Sequence, residues 1–155
     1  MGEQELHIRT FEPRDQRHFE TLNRQWIEKY FTMEPLDYEI LQHPDRHILH
    51  PGGNIFMAFW NEKPVGTVAL KRISPKIFEL TKMAVDENFR GKKIGRALAE
   101  NAIAWARDSA AEKIVLYSNT MLDSAIALYR NLGFQEIPVD GPYQRTNIKM
   151  ELAIA

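Results

Sequence analysis

The strongest constraint on the fold lies in the middle of the chain, where three segments rich in β-forming residues precede one amphipathic helix. Asn54–Trp60 and Val65–Ile73 flank the turn Asn61–Pro64, and this arrangement predicts a β-hairpin. Ile77–Val85 predicts a third strand, and an amphipathic helix follows from about Gly91 to Ser109. Hairpins followed by a strand, a loop and a helix are typical of a mixed sheet with helices packed against it.

The flanking segments extend this pattern. Pro35–Gly53 is rich in Pro, Asp, His and Gly, and we interpret it as a mobile connection with one short helical pattern. A chain of 155 residues can bury one good core. We therefore expect one α+β domain over residues 1–155, a mixed central sheet flanked by helices. The other predicted elements are a strand at Leu6–Phe11, a helix from Pro13 to Tyr30, a strand at Lys113–Tyr117, a helix at Leu122–Asn131 and a final strand from Ile148.

Composition removes several classes of function. The 20 basic and 21 acidic residues give a net charge of -1, so no overall field would draw the chain to nucleic acid or to an anionic membrane. The chain has no cysteine, which excludes disulfides, thiolate metal sites and a cysteinyl acyl intermediate. The start at Met1–Glu5 is polar and leads into no long apolar run, so we expect no signal peptide, no membrane span and a cytoplasmic location.

The run Arg90–Arg96 places four basic residues at the start of the predicted helix. Helix starts carry unpaired N–H groups and normally favour acidic residues, so each cation would cost ~0.3–1 kcal/mol in an empty site. The run therefore favours a bound polyanion, with Gly91 and Gly95 allowing close backbone approach. It matches neither G-x-x-x-x-G-K-[ST] nor G-x-G-x-x-G, which leaves a pyrophosphate-bearing ligand of another kind. The alternative is a solvated basic turn.

Two segments resemble one protein family. Glu79–Leu98 is similar to the coenzyme A motif of the GNAT superfamily of N-acetyltransferases, Q/R-x-x-G-x-G/A, with Arg90 in first place. Ala125–Phe134 resembles the family's A-I-x-L-Y-x-x-L-G-F segment. The resemblance implies a GNAT-like fold and transfer of an acetyl group from acetyl-CoA to an amine in a ternary complex, without a metal. One departure is that the glycine usual at the fourth motif position is Lys93 here.

The resemblance also implies which residues hold coenzyme A. The exposed backbone of the strand before the motif would bind the pantetheine arm. Asn119 could bind that arm or the acceptor, or could simply form the turn into the next helix. The cofactor-binding residues expected besides Asn119 are Met83, Ala84, Val85, Arg90, Gly91, Lys92, Lys93, Ile94, Gly95 and Arg96.

Aminolysis of a thioester needs a route for the proton of the amine and a proton donor for the departing thiolate. Tyr129 matches the family's usual proton donor; the alternative is an aromatic core residue. Glu79 stands where some members carry a general-base glutamate. Its alternative is a solvated carboxylate, or one that fixes Lys82 or Lys71.

Four residues are candidates for binding the acceptor amine. Arg145 precedes the final strand and could pair bidentately with a carboxylate of the acceptor, or could be an exposed surface arginine. Tyr143 would help to enclose the aliphatic part of the acceptor. Trp26 and Tyr30 lie one helical turn apart and could line the same pocket or belong to the core.

Competing functions remain open. His43, His47 and His50 have metal-like spacing but lie in a Pro/Gly-rich segment without an evident second shell, which favours a loop over a metal site.

A catalytically inactive acyl-CoA sensor of the same fold is the main alternative to an enzyme, and a nucleic-acid-binding domain is the least favoured function. We expect a small-molecule, amino-acid or peptide amine as partner, and a homodimer is compatible with the sequence.

Overall fold

A computed structural model describes residues 5–155, and the remaining residues 1–4 include most of the polar start used above to argue against a signal peptide. Seven strands form one sheet in the order β1-β2-β3-β4-β5-β7-β6. Only the β4–β5 pair is parallel within the described residues. The strands are β1 (Leu6–Thr10), β2 (Asn54–Trp60), β3 (Lys63–Ser74), β4 (Ile77–Val85), β5 (Lys113–Ser118), β6 (Gln135–Ile137) and β7 (Ile148–Ala153).

Helices cover both faces of this sheet, which confirms the predicted α+β fold class. Phe56 and Ala58 of β2 belong to the apolar cluster under α3 and α4, whereas Ile55 and Met57 belong to the cluster under α1 and α2. This alternation is what a strand buried on both faces requires. The helices are α1 (Gln16–Tyr30), α2 (Pro35–Gln42), α3 (Ile94–Asp108) and α4 (Asp123–Asn131), with short helical turns at Pro13–Asp15, Asp45–Leu49 and Glu87–Phe89.

The predicted β2–β3 hairpin is confirmed, with a tighter turn than expected. Asn61 and Glu62 both have positive φ, at 49° and 75°, as a two-residue type I′ turn requires. Lys63 already pairs with Trp60, so β3 begins inside the segment that the sequence predicts as a turn.

The interpretation of Pro35–Gly53 as a mobile connection is wrong. Its α2 helix begins with a reciprocal capping box between Glu34 and Asp37, and Pro35 stands at the first helical position. Ile40 and Ile48 are buried under the sheet. Leu41 is buried as well, whereas Tyr38 is exposed. The segment thus has few apolar residues, but three of them belong to the core, and the Pro- and His-rich composition gives no sign of this.

The C-terminal part of β4, after Leu80, is not paired with β5 and leaves the sheet open there. Register with β5 runs only from Ile77–Leu80 against Lys113–Leu116, after which the two strands have no further paired residues. Lys82, two residues after the last pair with β5, has φ of 53°. The register between β4 and β3 shifts at the same place, as in a β-bulge. The bulge and the parting of the strands together leave a wedge between β4 and β5.

No helix among residues 5–155 combines the length and the hydropathy needed to cross a membrane.

Candidate active site

A groove of about 1130 Å³ fills the wedge between β4 and β5 and continues past the start of α3. Glu79 and Val85 lie six positions apart in β4, a span of roughly 20 Å at strand spacing. The groove is therefore long enough to hold two ligands end to end. Among its lining residues are Trp26, Tyr30, Glu79, Met83, Ala84, Val85, Arg90, Gly91, Lys93, Ile94, Gly95, Arg96, Asn119, Tyr129, Tyr143 and Arg145.

The groove brings together sixteen of the seventeen site residues predicted from the sequence. Lys92 is the exception. Its ammonium lies 5.0 Å from the centre of the Trp60 ring and it does not line the groove. Its contact with the cofactor stays a prediction.

The start of α3 is built to receive an anion. The first helical backbone bond runs from the amide of Ala97 to the carbonyl of Lys93, at 3.1 Å. The amides of Ile94, Gly95 and Arg96 therefore have no backbone partner within the described chain. Guanidinium groups and the helix dipole add positive potential at the same place.

The helix begins at Ile94 and not near Gly91 as the sequence suggests. Lys93 is its N-cap residue and adopts the left-handed conformation, with φ of 60° and ψ of 27°. Glycine adopts this conformation without steric cost, whereas in lysine the Cβ comes too close to the backbone. Lys93 thus keeps the backbone shape of the family motif with a less suitable residue, and it is not the helical lysine expected from the sequence.

Gly95 leaves open space at the helix start. A Cβ added there would meet Leu128 at 3.7 Å and Val85 at 3.8 Å, which are ordinary contacts with two other groove residues. The protein's own packing therefore does not demand glycine at this position. A side chain would instead occupy groove volume beside the free amides, which fits a phosphate-bearing ligand held against the backbone.

Tyr129 is both a core residue and a groove residue. Its ring packs edge to face on Phe134 with the centroids 5.8 Å apart, and the side chain is almost fully buried. Burial raises the pKa of Tyr129 above its ordinary value of 10.0. The hydroxyl therefore stays protonated at neutral pH, as a proton donor must.

Glu79 lies on the α1/α2 face of the sheet, opposite Lys71 of β3. Burial raises the pKa of Glu79 above 4.5, although the charges of Lys71, Lys82 and Lys149 and a hydrogen bond with Thr81 act in the other direction. A carboxyl with a raised pKa is a better proton acceptor than a solvated one.

A buried ionic network forms the wall of the groove nearest Glu79. The Asp37 carboxylate accepts hydrogen bonds from Arg145 Nη1 at 2.6 Å and Nη2 at 2.7 Å, and from Lys82 Nζ at 2.9 Å. Lys82 Nζ also donates to the Tyr143 hydroxyl at 2.9 Å. The Asp37 side chain is 0% exposed and that of Lys82 2%. The network ties α2, the β4 bulge and the loop before β7 together.

This network bears on the role predicted for Arg145. The side chain is only 11% exposed, so it is not a surface arginine. Both Nη atoms already bond to Asp37, and Nη1 also approaches Glu34 at 3.4 Å. These bonds engage three of the five guanidinium N–H donors, and the two carboxylates balance the charge of Arg145 before a carboxylate of the acceptor approaches it.

The Asn119 side chain is occupied in the same loop region. Its amide nitrogen donates to the carbonyl of Arg145 at 2.7 Å, and its oxygen accepts from the amide of Met121 at 2.8 Å. The second bond is an Asx turn into α4. These bonds support the turn interpretation over direct contact of the side chain with a ligand.

Trp26 and Tyr30 both line the groove from the end of α1. The indole Nε1 of Trp26 is buried without a hydrogen-bond partner in the described part of the chain. A buried donor without a partner is costly, so it suits a ligand that supplies an acceptor atom. Tyr30 is 39% exposed and stands at the mouth of the groove.

The histidine-rich segment forms no metal site within residues 5–155, where no three His, Asp or Glu side chains converge. His47 Nε2 instead lies 3.2 Å from the carboxylate of Glu39. This segment packs against the core and lies apart from the groove.

Sequence reasoning missed Asp37 and Lys82, although each left a signal. Lys82 falls on the alternating buried positions of β4, and a lysine at a buried strand position needs an anionic partner. Asp37 follows the Glu-Pro pair that begins α2 and reads from sequence only as a capping residue. Their pairing spans 45 residues, which no local pattern reports.

The parted strands, the free amides at the start of α3 and the buried tyrosine form a groove suited to a phosphate-bearing ligand beside a second ligand. The chain belongs to the acetyltransferase (GNAT) family, whose sequence profile matches residues 9–134. It is 33% identical over 94 residues to N-acetylaspartate synthetase of Xenopus tropicalis, an alignment that covers 60% of this chain and 35% of that protein. It is 36% identical over 90 residues to human N-acetyltransferase 8B, over 55% of this chain and 40% of that protein. The aligned regions thus cover well under half the length of these relatives.

Solved structures agree on the fold. A GNAT-family acetyltransferase of Staphylococcus aureus Mu50 superposes with a TM-score of 0.90 at 22% identity, covering 97% of this chain and 100% of that one. PaiA N-acetyltransferase of Thermoplasma acidophilum, solved in complex with coenzyme A, superposes with a TM-score of 0.75 at 19% identity, covering 96% and 99%. The predicted GNAT-like architecture is therefore confirmed.

Proposed function

We propose that this protein is an N-acetyltransferase that moves an acetyl group from acetyl-CoA to an amine within a ternary complex. The observation that carries the proposal is the parting of β4 from β5 after Leu80, beside the free amides of α3. The unpaired edge of Met83–Val85 offers backbone groups to an extended amide-bearing arm. The free amides at the start of α3, together with Arg90 and Arg96, can bind the pyrophosphate of coenzyme A.

The described residues can divide the proton chemistry of the reaction. An amine with a pKa near 10.4 is only about 0.04% neutral at pH 7, so it must lose a proton before or during attack. Glu79, directly or through water, accepts that proton as the amine nitrogen bonds to the acetyl carbon. Tyr129 donates its proton to the sulfur as the carbon–sulfur bond breaks.

An inactive acyl-CoA sensor of the same fold is the competing function. The presence of a half-buried carboxyl with a raised pKa and a buried tyrosine in one groove favours the enzyme. A sensor would need the anion-binding start of α3 but neither the carboxyl of Glu79 nor the hydroxyl of Tyr129.

The test is to follow thiol release from acetyl-CoA while amino acids, amino-acid amides, polyamines, aminoglycosides and short peptides are added in turn. Amine-dependent release, with the acetylated amine detected by mass spectrometry, supports the transferase. Tight binding of acetyl-CoA without release for any amine would instead support the sensor. One relative is an N-acetylaspartate synthetase, so aspartate belongs in the panel.

A single domain over residues 1–155, a homodimer and a cytoplasmic location remain predictions from the sequence.

A further inference from the structure

The part of the groove around Glu79 has a composition of its own, and we call it the acceptor side. It is lined by Trp26, Tyr30, Glu79, Lys82, Tyr143 and Arg145. On the proposed function, an amine must reach this side because Glu79 is the carboxyl that receives its proton. The charges already present there decide what else the amine can carry.

The cations of the acceptor side are already paired. Arg145 and Lys82 share the buried carboxylate of Asp37, at N–O distances of 2.6 to 2.9 Å. Glu34 lies 3.4 Å from Arg145 and brings the network to two positive and two negative charges. Tyr143 adds its hydroxyl to Lys82 and its ring face to both cations, at 4.5 and 4.4 Å.

A carboxylate on the acceptor would therefore enter an unfavourable site. The two cations that line the acceptor side are already paired, and Lys71, which faces Glu79 from β3, does not line the groove. The carboxylate would therefore lose its hydration without gaining an unpaired cation from the groove lining, and it would approach the carboxyl groups of Glu79 and Asp37. Burial of an uncompensated charge is among the largest penalties in a protein interior. The network thus discriminates against anionic acceptors before any contact with the amine is considered.

Uncharged acceptors find complementary surfaces instead. Trp26 and Tyr30 present aromatic rings to the groove, and Trp26 packs edge to face on Phe31 with the centroids 6.2 Å apart. The buried Nε1 of Trp26 is a neutral donor without a partner in residues 5–155. It suits a neutral oxygen such as an amide carbonyl, which accepts a hydrogen bond without carrying charge.

We propose, on the basis of the transferase activity above, that the acceptor is a primary amine on an uncharged apolar or aromatic body bearing a neutral hydrogen-bond acceptor. An α-amino amide or a peptide terminus with an apolar first residue has this chemistry. A free amino acid does not, because its carboxylate has no counterion on the acceptor side.

The decisive comparison is L-phenylalaninamide against L-phenylalanine, which differ only in whether the carboxyl group is neutral. The kcat/KM of acetyl transfer is expressed per concentration of neutral amine, so that the different amine pKa values cancel. We expect at least a tenfold preference for the amide over phenylalanine, and likewise over aspartate. Equal values for the two phenylalanine compounds, or a preference for aspartate or spermidine, overturn this proposal while leaving the transferase in place. Absence of transfer to every amine overturns both.

A variant tests whether the network is the cause. Asp37→Asn removes the counterion of Arg145, so the preference for the amide should fall about tenfold as phenylalanine gains a cation to pair with. Asp15→Asn is the matched control, since Asp15 is also buried and bonds bidentately to Arg9, at 2.7 and 3.0 Å, outside the groove. An unchanged preference in folded Asp37→Asn overturns the assignment. If Asp37→Asn does not fold, the comparison of amines on the parent protein still decides.

Discussion

The carboxylate of Asp37 accepts two hydrogen bonds from the guanidinium of Arg145, at 2.6 and 2.7 Å, although 108 positions separate the two residues in the chain. One residue belongs to α2 and the other to the loop before β7. Lys82 joins them from the β4 bulge. These contacts shape the acceptor side of the groove, and they leave both of its cations paired with a carboxylate.

Replacement of Asp37 by Asn should destabilise the fold by roughly 3–5 kcal/mol at pH 7, because it leaves two buried cations without their carboxylate. Urea unfolding followed by circular dichroism measures this change. Asp15→Asn removes one comparable ion pair elsewhere and serves as the reference. An Asp37→Asn protein as stable as the parent would show that the network contributes nothing to folding.

The same contact has a pH signature. Burial by itself would raise the pKa of Asp37, but the bonds from Arg145 and the charge of Lys82 lower it below 3.8. A carboxyl whose folded-state pKa is lowered stabilises the protein above its unfolded pKa and loses that contribution as the pH falls through the folded value. The difference in unfolding free energy between parent and Asp37→Asn should therefore shrink below about pH 4. A difference that stays constant from pH 7 to pH 2 contradicts the assignment.

Lys93→Gly should raise the free energy of unfolding by about 1 kcal/mol, because glycine adopts the left-handed conformation at this N-cap without a clash of the Cβ. Lys93→Ala keeps the Cβ and should show no gain. Affinity for acetyl-CoA should change by no more than a few-fold in either variant, since the backbone is retained. A Lys93→Gly protein less stable than Lys93→Ala would show that the left-handed geometry is not strained.

Gly95→Asp should weaken acetyl-CoA binding by more than tenfold, since it places a side chain and a negative charge beside the free amides at the start of α3. The fold should survive, because the added Cβ meets its neighbours at 3.7 Å or more. Calorimetric titration of acetyl-CoA measures the loss, and Lys93→Ala provides the control within the same turn. Unchanged affinity in Gly95→Asp would place the pyrophosphate elsewhere.

Tyr129→Phe should lower kcat by ~100- to 10,000-fold through the loss of proton donation, with cofactor affinity nearly intact. The measurement is made where chemistry limits the rate. Tyr38→Phe is a suitable control, because Tyr38 is 39% exposed and lies outside the groove. A normal kcat in Tyr129→Phe would remove the donor role from this residue.

Glu79→Gln should depress turnover most at low pH and recover in part as the amine deprotonates unaided. Burial raises the pKa of Glu79, so the acid limb of the parent profile should lie above the 4.5 of an ordinary glutamate. Profiles of kcat/KM against pH for the two proteins measure this effect. Parallel profiles would show that Glu79 does not accept the proton.

Features that depend on neighbours along the chain could be predicted from the sequence. The β2–β3 hairpin, the basic turn at Arg90–Arg96 and the segment around Tyr129 all correspond to patterns a few residues long. Helix ends and tight turns follow such local patterns, because their hydrogen bonds join residues three or four positions apart. The fold class could be predicted for this reason, and the family was predicted from the resemblance of two segments to its motifs.

The distribution of charge in the groove could not be predicted, because it depends on contacts between residues far apart in the chain. Arg145 could equally be a surface arginine or a ligand for a carboxylate until α2 brings Asp37 against both of its Nη atoms. The order of α2 itself depends on burial of Ile40 and Ile48 under a sheet whose strands come from distant parts of the chain. The pKa and the pairing of a buried charge are set by whatever packing places beside it, and residues 45 or 108 positions away leave no periodic trace in the sequence.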